Sequence, residues 1–431
     1  MNQYAEMIRQ LKTPAIMKRL TQLYGQRNGM LVEQTTRYVC ALKRHEELIN
    51  RSAPVYMVSA PGRTEIGGNH TDHNHGKVLA AAVNLDTLAA VSKREDMTVR
   101  VFSDGYDPLE LTLDELSKKA DEEGTTASLV RGVAARLHEL GYRIGGFDAI
   151  VTSMVRGGSG LSSSAAFEVM ICAVFDVLYN GWTIDAKLRA QISQYAENAY
   201  FGKPCGLMDQ MASSVGGLTF IDFKDETPKV TEIAYDFAAQ GMALVVVNTG
   251  GSHDDLVPDY AAIPKEMQAV AQCFGEKSLR RVRPEQFLRN VPMIREALQD
   301  KNPDRSILRA AHYFAENKRV DAEVEALKQN DLEMFLTLVN QSGISSFTLL
   351  QNVFSKPDRQ ELSLALMLAE SKLRGKGAWR VHGGGFAGTT LNFVPQNDLQ
   401  AFVRDMEAVF GERCCNVLDI RPEGAAYVAL A

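Results

Sequence analysis

A glycine-rich turn, residues 157–166, runs straight into an apolar segment with helical spacing. Its glycines allow positive φ and let the backbone approach another group closely. Ser162, Ser163 and Ser164 stand where a helix would begin, and there unpaired amides and the positive end of the helix dipole favour an anion. The turn is a candidate cradle for phosphates, with a serine-capped helix as the alternative. It is not a Walker loop, because no Lys-Ser or Lys-Thr pair follows at the required spacing.

A single aspartate, Asp209, interrupts a second apolar segment, residues 206–212. A buried carboxylate without partners is costly, so an aspartate in such a place needs a reason to be there. It is either a helix cap or a working group.

A polar stretch carries histidines and an aspartate at alternating positions. His70, Asp72, His73 and His75 could converge on zinc, as alternating His and Asp residues in a loop can do. One hypothesis is therefore a metal-dependent hydrolase. A zinc site would also need partners that orient its ligands, and the sequence does not identify any.

The composition is that of a globular chain without a charge signal for nucleic acid. The 431 residues are 45% apolar and 23% charged, with a net charge of −6. This length favours two or three domains. The mild acidity gives no reason to expect nucleic acid or an anionic membrane as a partner, and no apolar run approaches the ~20 residues of a membrane helix. The six cysteines show no CxxC spacing, which predicts a reducing cytoplasm.

The spacing of the apolar residues predicts the elements that position these motifs. Residues 1–50 have helical periodicity, and short strands then lie on both sides of a polar loop, residues 63–76. Residues 60–62 (Ala-Pro-Gly) predict a turn before that loop. Strands and helices are interleaved in both halves, which favours an α+β protein of two domains. We expect the boundary near residue 225, which divides the chain into residues 1–225 and 226–431.

Four motifs in order resemble those of the GHMP small-molecule kinases, and among these the galactokinases most. They are residues 60–63 with 69–76 behind them, 158–165, 205–213 and 382–390. The match runs from about residue 55 to the C-terminus, while residues 1–54 form a helical extension in which residues 30–51 read as an added helix. The resemblance implies the two-domain fold of that family, with the active site in the cleft between the domains. It also implies ATP-dependent phosphorylation of a monosaccharide at the anomeric hydroxyl.

The resemblance implies roles for the residues that would bind ATP and carry out the transfer. Asp209 accepts the proton of the sugar hydroxyl, with Arg63 beside it to keep the carboxylate ionised and to stabilise the transferring group. Ser164 and Glu197 hold Mg²⁺, which prefers oxygen ligands. The nucleotide contacts are Ser103 and the phosphate loop, Gly158, Ser159, Gly160, Leu161, Ser162, Ser163 and Ser164.

The sugar contacts implied by the resemblance include one clear departure from the family. Galactokinases usually carry Glu where this chain has Asn69, which resembles the residue that binds the C6 hydroxyl. An amide can donate or accept where a carboxylate only accepts, so we expect galactose or a galactose-like sugar, such as a C6-modified one. The other implied contacts are His70, Thr71, Asp72 and Tyr260. The remaining departures are Glu65 for Asn, Gly67 for Ile, His73 for Tyr or Phe, His382 for Thr and Ala387 for Gly.

One further alternative is a non-catalytic sensor that binds ATP and sugar and signals by closing, as some galactokinase relatives do. The presence of all four residues that the resemblance assigns to catalysis and to Mg²⁺ favours turnover instead. We expect a monosaccharide and ATP as partners, with no nucleic acid and no membrane, and a monomer or weak homodimer.

Overall fold

The computed structural model describes residues 3–25, 29–50, 52–251, 256–386 and 388–430. Its strands form two sheets, one in the order β12-β1-β2-β5-β3-β4 and one in the order β11-β8-β10-β9, with β6 and β7 added beside β2. The strands are β1 Val55–Gly67, β2 Lys77–Lys93, β3 Thr98–Ser103, β4 Leu109–Thr112, β5 Phe147–Ser153, β6 Leu218–Asp222, β7 Lys229–Glu232, β8 Met242–Asn248, β9 Ala378–His382, β10 Thr389–Pro395, β11 Cys415–Leu418 and β12 Ala426–Leu430.

Helices cover both sheets, so the protein has the α+β architecture that the sequence predicts. The helices are α1 Gln3–Gln10, α2 Pro14–Tyr24, α3 Met30–Leu48, α4 Thr126–Glu139, α5 Ser163–Phe175, α6 Ala186–Tyr195, α7 Met208–Val215, α8 Val257–Gln272, α9 Pro284–Arg289, α10 Val291–Ala297, α11 Pro303–Lys328, α12 Leu332–Ser345, α13 Glu361–Leu373 and α14 Leu399–Phe410.

The first sheet is buried on both faces because its strands are apolar at successive positions. Side chains alternate between the faces of a strand, so Ala89 and Val91 of β2 pack against α4 and α5. Leu88 and Ala90 alternate with these residues along β2, so they lie on the opposite face, where they pack against α1, α2 and α3. The predicted added helix is thus confirmed as α3, which together with α1 and α2 covers apolar sheet surface. Its last predicted residue, Arg51, lies outside the described residues.

The predicted turn at residues 60–62 is wrong, because β1 continues through it to Gly67. The pairing of β1 with β2 shifts register between Pro61 and Arg63, and the pairing with β12 ends at Ser59. A proline without an N–H is tolerated at such an irregularity with one unpaired edge. As a result Arg63 lies on a strand and not in the polar loop, which begins at Gly68.

A second hydrophobic core joins the two sheets. Ile66 and Leu79 of the first sheet belong to the same buried cluster as Leu391 of the second sheet and Leu161 of the phosphate loop. Strands β7 and β12 come after residue 225 yet belong to the first sheet. The division of the chain at residue 225 stays a prediction.

One helix in the described ranges, Ser163–Asn180, is long and apolar enough to cross a membrane by length and composition. The sequence reading did not predict such a segment. In the structure 61% of it is buried inside the protein, and Val169–Phe175 form part of the core above the first sheet. It is therefore a core helix, and its first turn carries the serines of the phosphate loop.

Candidate active site

The Arg63 guanidinium and the Asp209 carboxylate form a bidentate ion pair. Arg63 Nε lies 2.6 Å from Asp209 Oδ1, and Arg63 Nη2 lies 2.9 Å from Asp209 Oδ2. Arg63 comes from β1, where its backbone N–H donates to the carbonyl of Leu161, and Asp209 is in the first turn of α7. Nη1 of Arg63 donates to the carbonyl of Gly160 at 2.5 Å. The structure thus brings together two residues that are 146 positions apart in the chain.

The carboxylate of Asp209 is ionised at neutral pH. Burial alone would raise the pKa of Asp209, but the Arg63 guanidinium and a hydrogen bond from the Ser162 hydroxyl outweigh burial and lower the pKa below its ordinary value. The Ser162 Oγ lies 2.5 Å from Asp209 Oδ2. An ionised acid with one donor already in place can accept a further hydrogen bond from a substrate hydroxyl.

The phosphate loop has the backbone conformation that its sequence predicts. Gly158, Gly160 and Ser162 have φ of 74°, 72° and 62°, and α5 begins at the next residue. A Cβ on Gly160 would lie 2.2 Å from the Thr389 hydroxyl, so only glycine fits there. The loop therefore presents backbone amides and the N-terminus of α5 to one side of a cleft.

This cleft has a volume of about 240 Å³ and is bounded by three segments. They are the phosphate loop, the segment around Asp209, and the loop between β9 and β10, whose residues 383–385 line the cleft and which we call the third glycine loop. The lining residues are Arg63, Arg156, Gly158, Ser159, Gly160, Ser162, Ser163, Ser164, Glu197, Lys203, Cys205, Asp209, His382, Gly383, Gly384, Gly385 and Thr389.

A second group of polar side chains lies around Glu197, in the helical turn Ala196–Phe201 that continues α6. The Ser164 hydroxyl donates to Glu197 Oε1 at 3.1 Å, and Lys203 Nζ lies 3.2 Å from the same oxygen. Gln210 Nε2 donates to Glu197 Oε2 at 2.8 Å and to Glu168 Oε2 at 3.1 Å. Burial, together with repulsion from Glu197, raises the pKa of Glu168 well above its ordinary value.

Sequence reasoning missed three members of this group: Glu168, Lys203 and Gln210. A signal was present for Glu168, because it lies four residues after Ser164 and therefore on the same face of α5. Gln210 follows Asp209 directly, but its amide points to the carboxylates and not to the Arg63 pair. Nothing in the sequence points to Lys203.

The residues of this group fit a magnesium ion. Ser164 and Glu197 offer oxygen ligands, and Mg²⁺ is usually held by few protein groups together with phosphates and waters. Two buried oxygens, Glu168 Oε1 and Gln210 Oε1, have no hydrogen-bond partner in the described part of the chain. No set of three or more His, Cys, Asp or Glu side chains could hold a metal among the described residues. A cation here would therefore need ligands from outside the protein, such as phosphate oxygens and waters, to complete its coordination.

Asn69 lies in the interior, where other protein groups use its hydrogen-bonding capacity. Its amide nitrogen donates to Glu65 Oε1 at 2.8 Å and to the carbonyl of Gly383 at 2.7 Å. Its amide oxygen accepts from Asn352 at 2.8 Å and from Ser346 at 3.3 Å. The side chain is fully buried and does not line the cleft. Its predicted contact with the sugar stays a prediction that this geometry does not support.

Two neighbours of Asn69 also bind the protein's own backbone. The Thr71 hydroxyl donates to the carbonyls of Gly68 and Lys77 at 2.9 and 2.7 Å. His70 Nε2 lies 2.9 Å from the carbonyl of Gly384, so this nitrogen carries the proton. Burial lowers the pKa of His70 to about 3, and the ring is neutral.

Asp72 is the predicted sugar residue that reaches the segment of Asp209. Its Oδ2 packs against Gly206 so closely that a Cβ on that glycine would lie 1.8 Å from the oxygen. Its Oδ1 accepts from the backbone N–H of His73 at 3.0 Å. Tyr260, on α8, instead donates to the carbonyl of Gly385 at 2.9 Å and so fixes the third glycine loop.

His382, one of the departures from the family pattern, connects three segments around the cleft. Its Nε2 accepts from the backbone N–H of Glu65 at 3.2 Å and lies 3.0 Å from the Thr64 hydroxyl. Its Nδ1 must then carry the proton and donates to the Thr389 hydroxyl at 3.0 Å. Burial and two nearby arginines, Arg63 first, lower the pKa of His382 well below its ordinary value, so it is neutral. The other departure in this loop, Ala387, lies outside the described residues.

Two predictions gain no support from the placement of the side chains. Ser103 ends β3, beside Val151 of β5, and does not line the cleft. The zinc hypothesis is wrong: His70 binds Gly384, while His75 Nδ1 lies 3.2 Å from the carbonyl of Phe223. Across the described ranges these histidines do not form a metal-binding group.

The chain is similar to known kinases in sequence and in structure. A galactokinase galactose-binding signature matches residues 43–93, and the GHMP kinases N terminal domain matches residues 128–217. A galactokinase of Glaesserella parasuis serovar 5 (strain SH0165) is 34% identical over 349 residues, which cover 80% of this chain and 86% of the relative. A galactokinase of Streptomyces coelicolor (strain ATCC BAA-471 / A3(2) / M145) is 31% identical over 398 residues, covering 89% and 96%.

Solved structures show the same fold. The structure of Lactococcus lactis galactokinase complexed with galactose superposes with a TM-score of 0.77 at 24% identity, covering 89% of this chain and 98% of that one. The mevalonate kinase of Methanococcus jannaschii superposes with a TM-score of 0.61 at 14% identity, covering 86% and 99%. At these identities the structures establish the fold alone, which matches the fold implied by the sequence motifs.

Proposed function

The chain belongs to the galactokinase family and is a sugar kinase, and from this premise we propose that it phosphorylates galactose, or a galactose-like sugar, at the anomeric hydroxyl. ATP is the phosphate donor that this family uses. The observation that carries the proposal is the bidentate contact of Arg63 with Asp209, beside Ser162 and within the cleft. In phosphoryl transfer a positioned carboxylate can accept the proton of the attacking hydroxyl, and a nearby cation can stabilise the charge of the transferring group.

The phosphate loop would hold the nucleotide tail, since Gly158 to Ser164 offer backbone N–H groups at the start of α5. Binding there would put the terminal phosphate near Ser162, whose hydroxyl contacts Asp209. Positioning of this kind supplies much of the rate in phosphoryl transfer, because the transition state is loose and leaves the protein little covalent chemistry to carry out.

Asp209 would accept the hydrogen bond of the attacking sugar hydroxyl. Because its pKa lies below the ordinary value, it is ionised at neutral pH and can orient the hydroxyl from the start. The proton passes to the carboxylate as the new P–O bond forms, since the hydroxyl becomes acidic only then. Arg63 meanwhile stabilises the negative charge that develops on the transferring group.

Ser164 and Glu197 would hold Mg²⁺, and Gln210 fixes the Glu197 carboxylate through its amide. When bound, Mg²⁺ neutralises charge on the phosphates of the nucleotide. Asp72 would accept hydrogen bonds from sugar hydroxyls, because its carboxylate lies against Gly206 in the segment that carries Asp209. Thr71 and Tyr260 would keep the surrounding loops in place.

The test is ADP release by the purified protein with ATP, Mg²⁺ and a panel of hexoses, with the product identified as a 1-phosphate by phosphorus NMR. We expect galactose to be phosphorylated and Asp209→Asn to lower kcat about 10³-fold, within the range of general-base effects. Asp358→Asn, a change at an exposed loop residue, is the matched control. A protein that binds ATP and sugar but releases ADP no faster than Asp209→Asn would be a sensor.

We also propose a cytoplasmic location and a monomer or weak homodimer. All six cysteines of the chain are free, which suits a reducing compartment. Light scattering of the purified protein across a concentration series would determine its assembly. A stable assembly larger than a dimer would contradict the proposal.

A further inference from the structure

Arg156 stands at the start of the phosphate loop and lines the cleft with an exposed side chain. Its backbone is fixed by a tight turn, because its carbonyl accepts from the Ser159 N–H at 3.2 Å and from the Ser159 hydroxyl at 2.6 Å. The side chain therefore extends from a defined position on the loop. Neither the motifs of the sequence nor the proposed mechanism assigns it a role.

Among the described residues that line the cleft, Arg156 is the cation without a carboxylate partner. These residues include three cationic side chains and two carboxylates. Arg63 is paired with Asp209 and Lys203 with Glu197. In the described part of the chain, Arg156 forms no ion pair with an acidic side chain. The described lining residues thus carry one positive charge more than they carry negative charges, next to a loop of backbone donors.

We propose that Arg156 binds the nucleotide's phosphates that remain in ADP. Its guanidinium can form two parallel hydrogen bonds with phosphate oxygens. Asp209 contacts Ser162, near the end of the loop, whereas Arg156 precedes the turn that begins the loop. Arg156 therefore contacts the phosphates on the side away from the transferred group, so it determines nucleotide affinity and not the chemical step. This inference rests on the proposed use of ATP at this cleft.

The test is calorimetric binding of ADP, AMP and adenosine to the wild type and to Arg156→Ala, with kinetic constants for both substrates. We expect ADP affinity to fall about 10-fold and the KM for ATP to rise by a similar factor, as for the loss of a hydrogen bond between charged groups. The kcat, the KM for galactose and the affinity for adenosine should stay within about twofold. Arg156→Lys should recover part of the ADP affinity.

Arg289→Ala, at an exposed arginine on α9 outside the cleft, is the matched control and should behave as the wild type. The proposal would be overturned if the ADP affinity of Arg156→Ala stayed within twofold of that of the wild type. It would also be overturned if Arg156→Ala lost as much affinity for adenosine as for ADP. Thermal unfolding of each variant shows whether it folds, and Arg156→Gln is the replacement if Arg156→Ala does not. Calorimetry needs no turnover, so ADP binding can support Arg156 even if galactose is not a substrate.

Discussion

The phosphate loop, residues 158–164, lies beside the third glycine loop. The loop proposed to contact the sugar, residues 68–76 and here called the sugar loop, binds the same glycine loop, but the polar side chains of the two loops are used differently. In the phosphate loop, Ser162 and Ser164 contact Asp209 and Glu197, which line the cleft. In the sugar loop, Asn69 and Thr71 are fully buried and bind the protein itself.

This difference distinguishes residues that can bind a ligand from residues that stabilise the conformation of a loop. A polar group with spare hydrogen-bonding capacity beside a cleft can pair with a substrate, whereas a buried and satisfied group cannot without breaking its own bonds. The same motif can therefore contain both kinds. In the sugar loop, Asn69 belongs to the second kind. Asp72 does not line the cleft, and its proposed contact with the sugar rests on its carboxylate lying against Gly206 in the segment of Asp209.

Arg63→Lys should have a large effect on the chemical step, second only to that of Asp209→Asn, because it removes the bidentate contact between Arg63 and Asp209. We expect kcat to fall about 10²-fold, the scale of losing a positioned donor to a developing charge. The pH profile of kcat/KM should also change. In the proposed mechanism the ionised form of Asp209 is the active one, and its lowered pKa keeps it ionised into the acidic range.

In Arg63→Lys, the contacts of the side chain at position 63 no longer fully offset the effect of burial on Asp209. The pKa of Asp209 therefore rises, and the acidic limb of the pH profile moves to higher pH. A profile that keeps the wild-type limb would contradict this account. Arg100→Lys, at a partly buried arginine that pairs with Asp148 away from the cleft, is the control.

Glu65→Gln should change how the free energy of unfolding depends on pH. Glu65 accepts a hydrogen bond from Asn69 and is a buried acid. Burial raises the pKa of Glu65 from 4.5 to about 7, despite the opposing charge of Arg380. A carboxyl whose pKa is raised on folding binds more protons when folded, so its contribution to stability is lost as pH rises from 4.5 to 7. The wild type should lose about 1 to 3 kcal/mol more than Glu65→Gln across this window. Denaturant unfolding at pH 4.5 and 7.5 measures the difference, and parallel curves would refute it.

Asp72→Asn should have a smaller effect that is confined to the sugar. We expect the KM for galactose to rise about 10-fold, because a neutral amide is a weaker acceptor than a carboxylate. The KM for ATP should not change. Steady-state kinetics with each substrate varied gives both constants, with Asp107→Asn at an exposed residue as the control. An equal rise in both KM values would indicate a general disturbance of the site.

Asn69→Ala should have the smallest effect on substrate choice. Galactose and 6-deoxygalactose differ only at C6, and the ratio of their kcat/KM values should stay within about twofold of the wild type, because Asn69 faces the interior. Stability should fall by about 2 kcal/mol, since Glu65 and the Gly383 carbonyl lose a buried donor. A tenfold change in the ratio would place Asn69 against the sugar.

Local sequence patterns predicted the elements of the site better than its contacts. Gly158 and Gly160, followed by three serines, predict a tight turn into a helix, and that is what forms. The same kind of reasoning placed a turn at residues 60–62, where a strand continues through a register shift. Proline and glycine indicate irregular backbone, but the partner strand decides whether the chain turns or only bulges.

Tertiary contacts explain why the other side chains could not be predicted. Lys203 and Gln210 contact Glu197 through packing between α5, α7 and the turn after α6, which no local pattern contains. Asn69 is buried because Asn352 and Ser346, almost 300 residues later, close over it.

The sequence by itself determined the types of side chain and the local geometry of this site, because glycine conformations and helix starts depend on neighbouring residues. It also determined the family, through four motifs in order. The resemblance also implied Arg63 beside Asp209, and the structure supplies the bidentate geometry of that pair. Only the tertiary structure decided that Arg156 has no acidic partner among the described residues and that Asn69 turns inward. Burial and hydrogen-bond satisfaction belong to the packed chain, since they depend on groups that are distant in sequence and close in space.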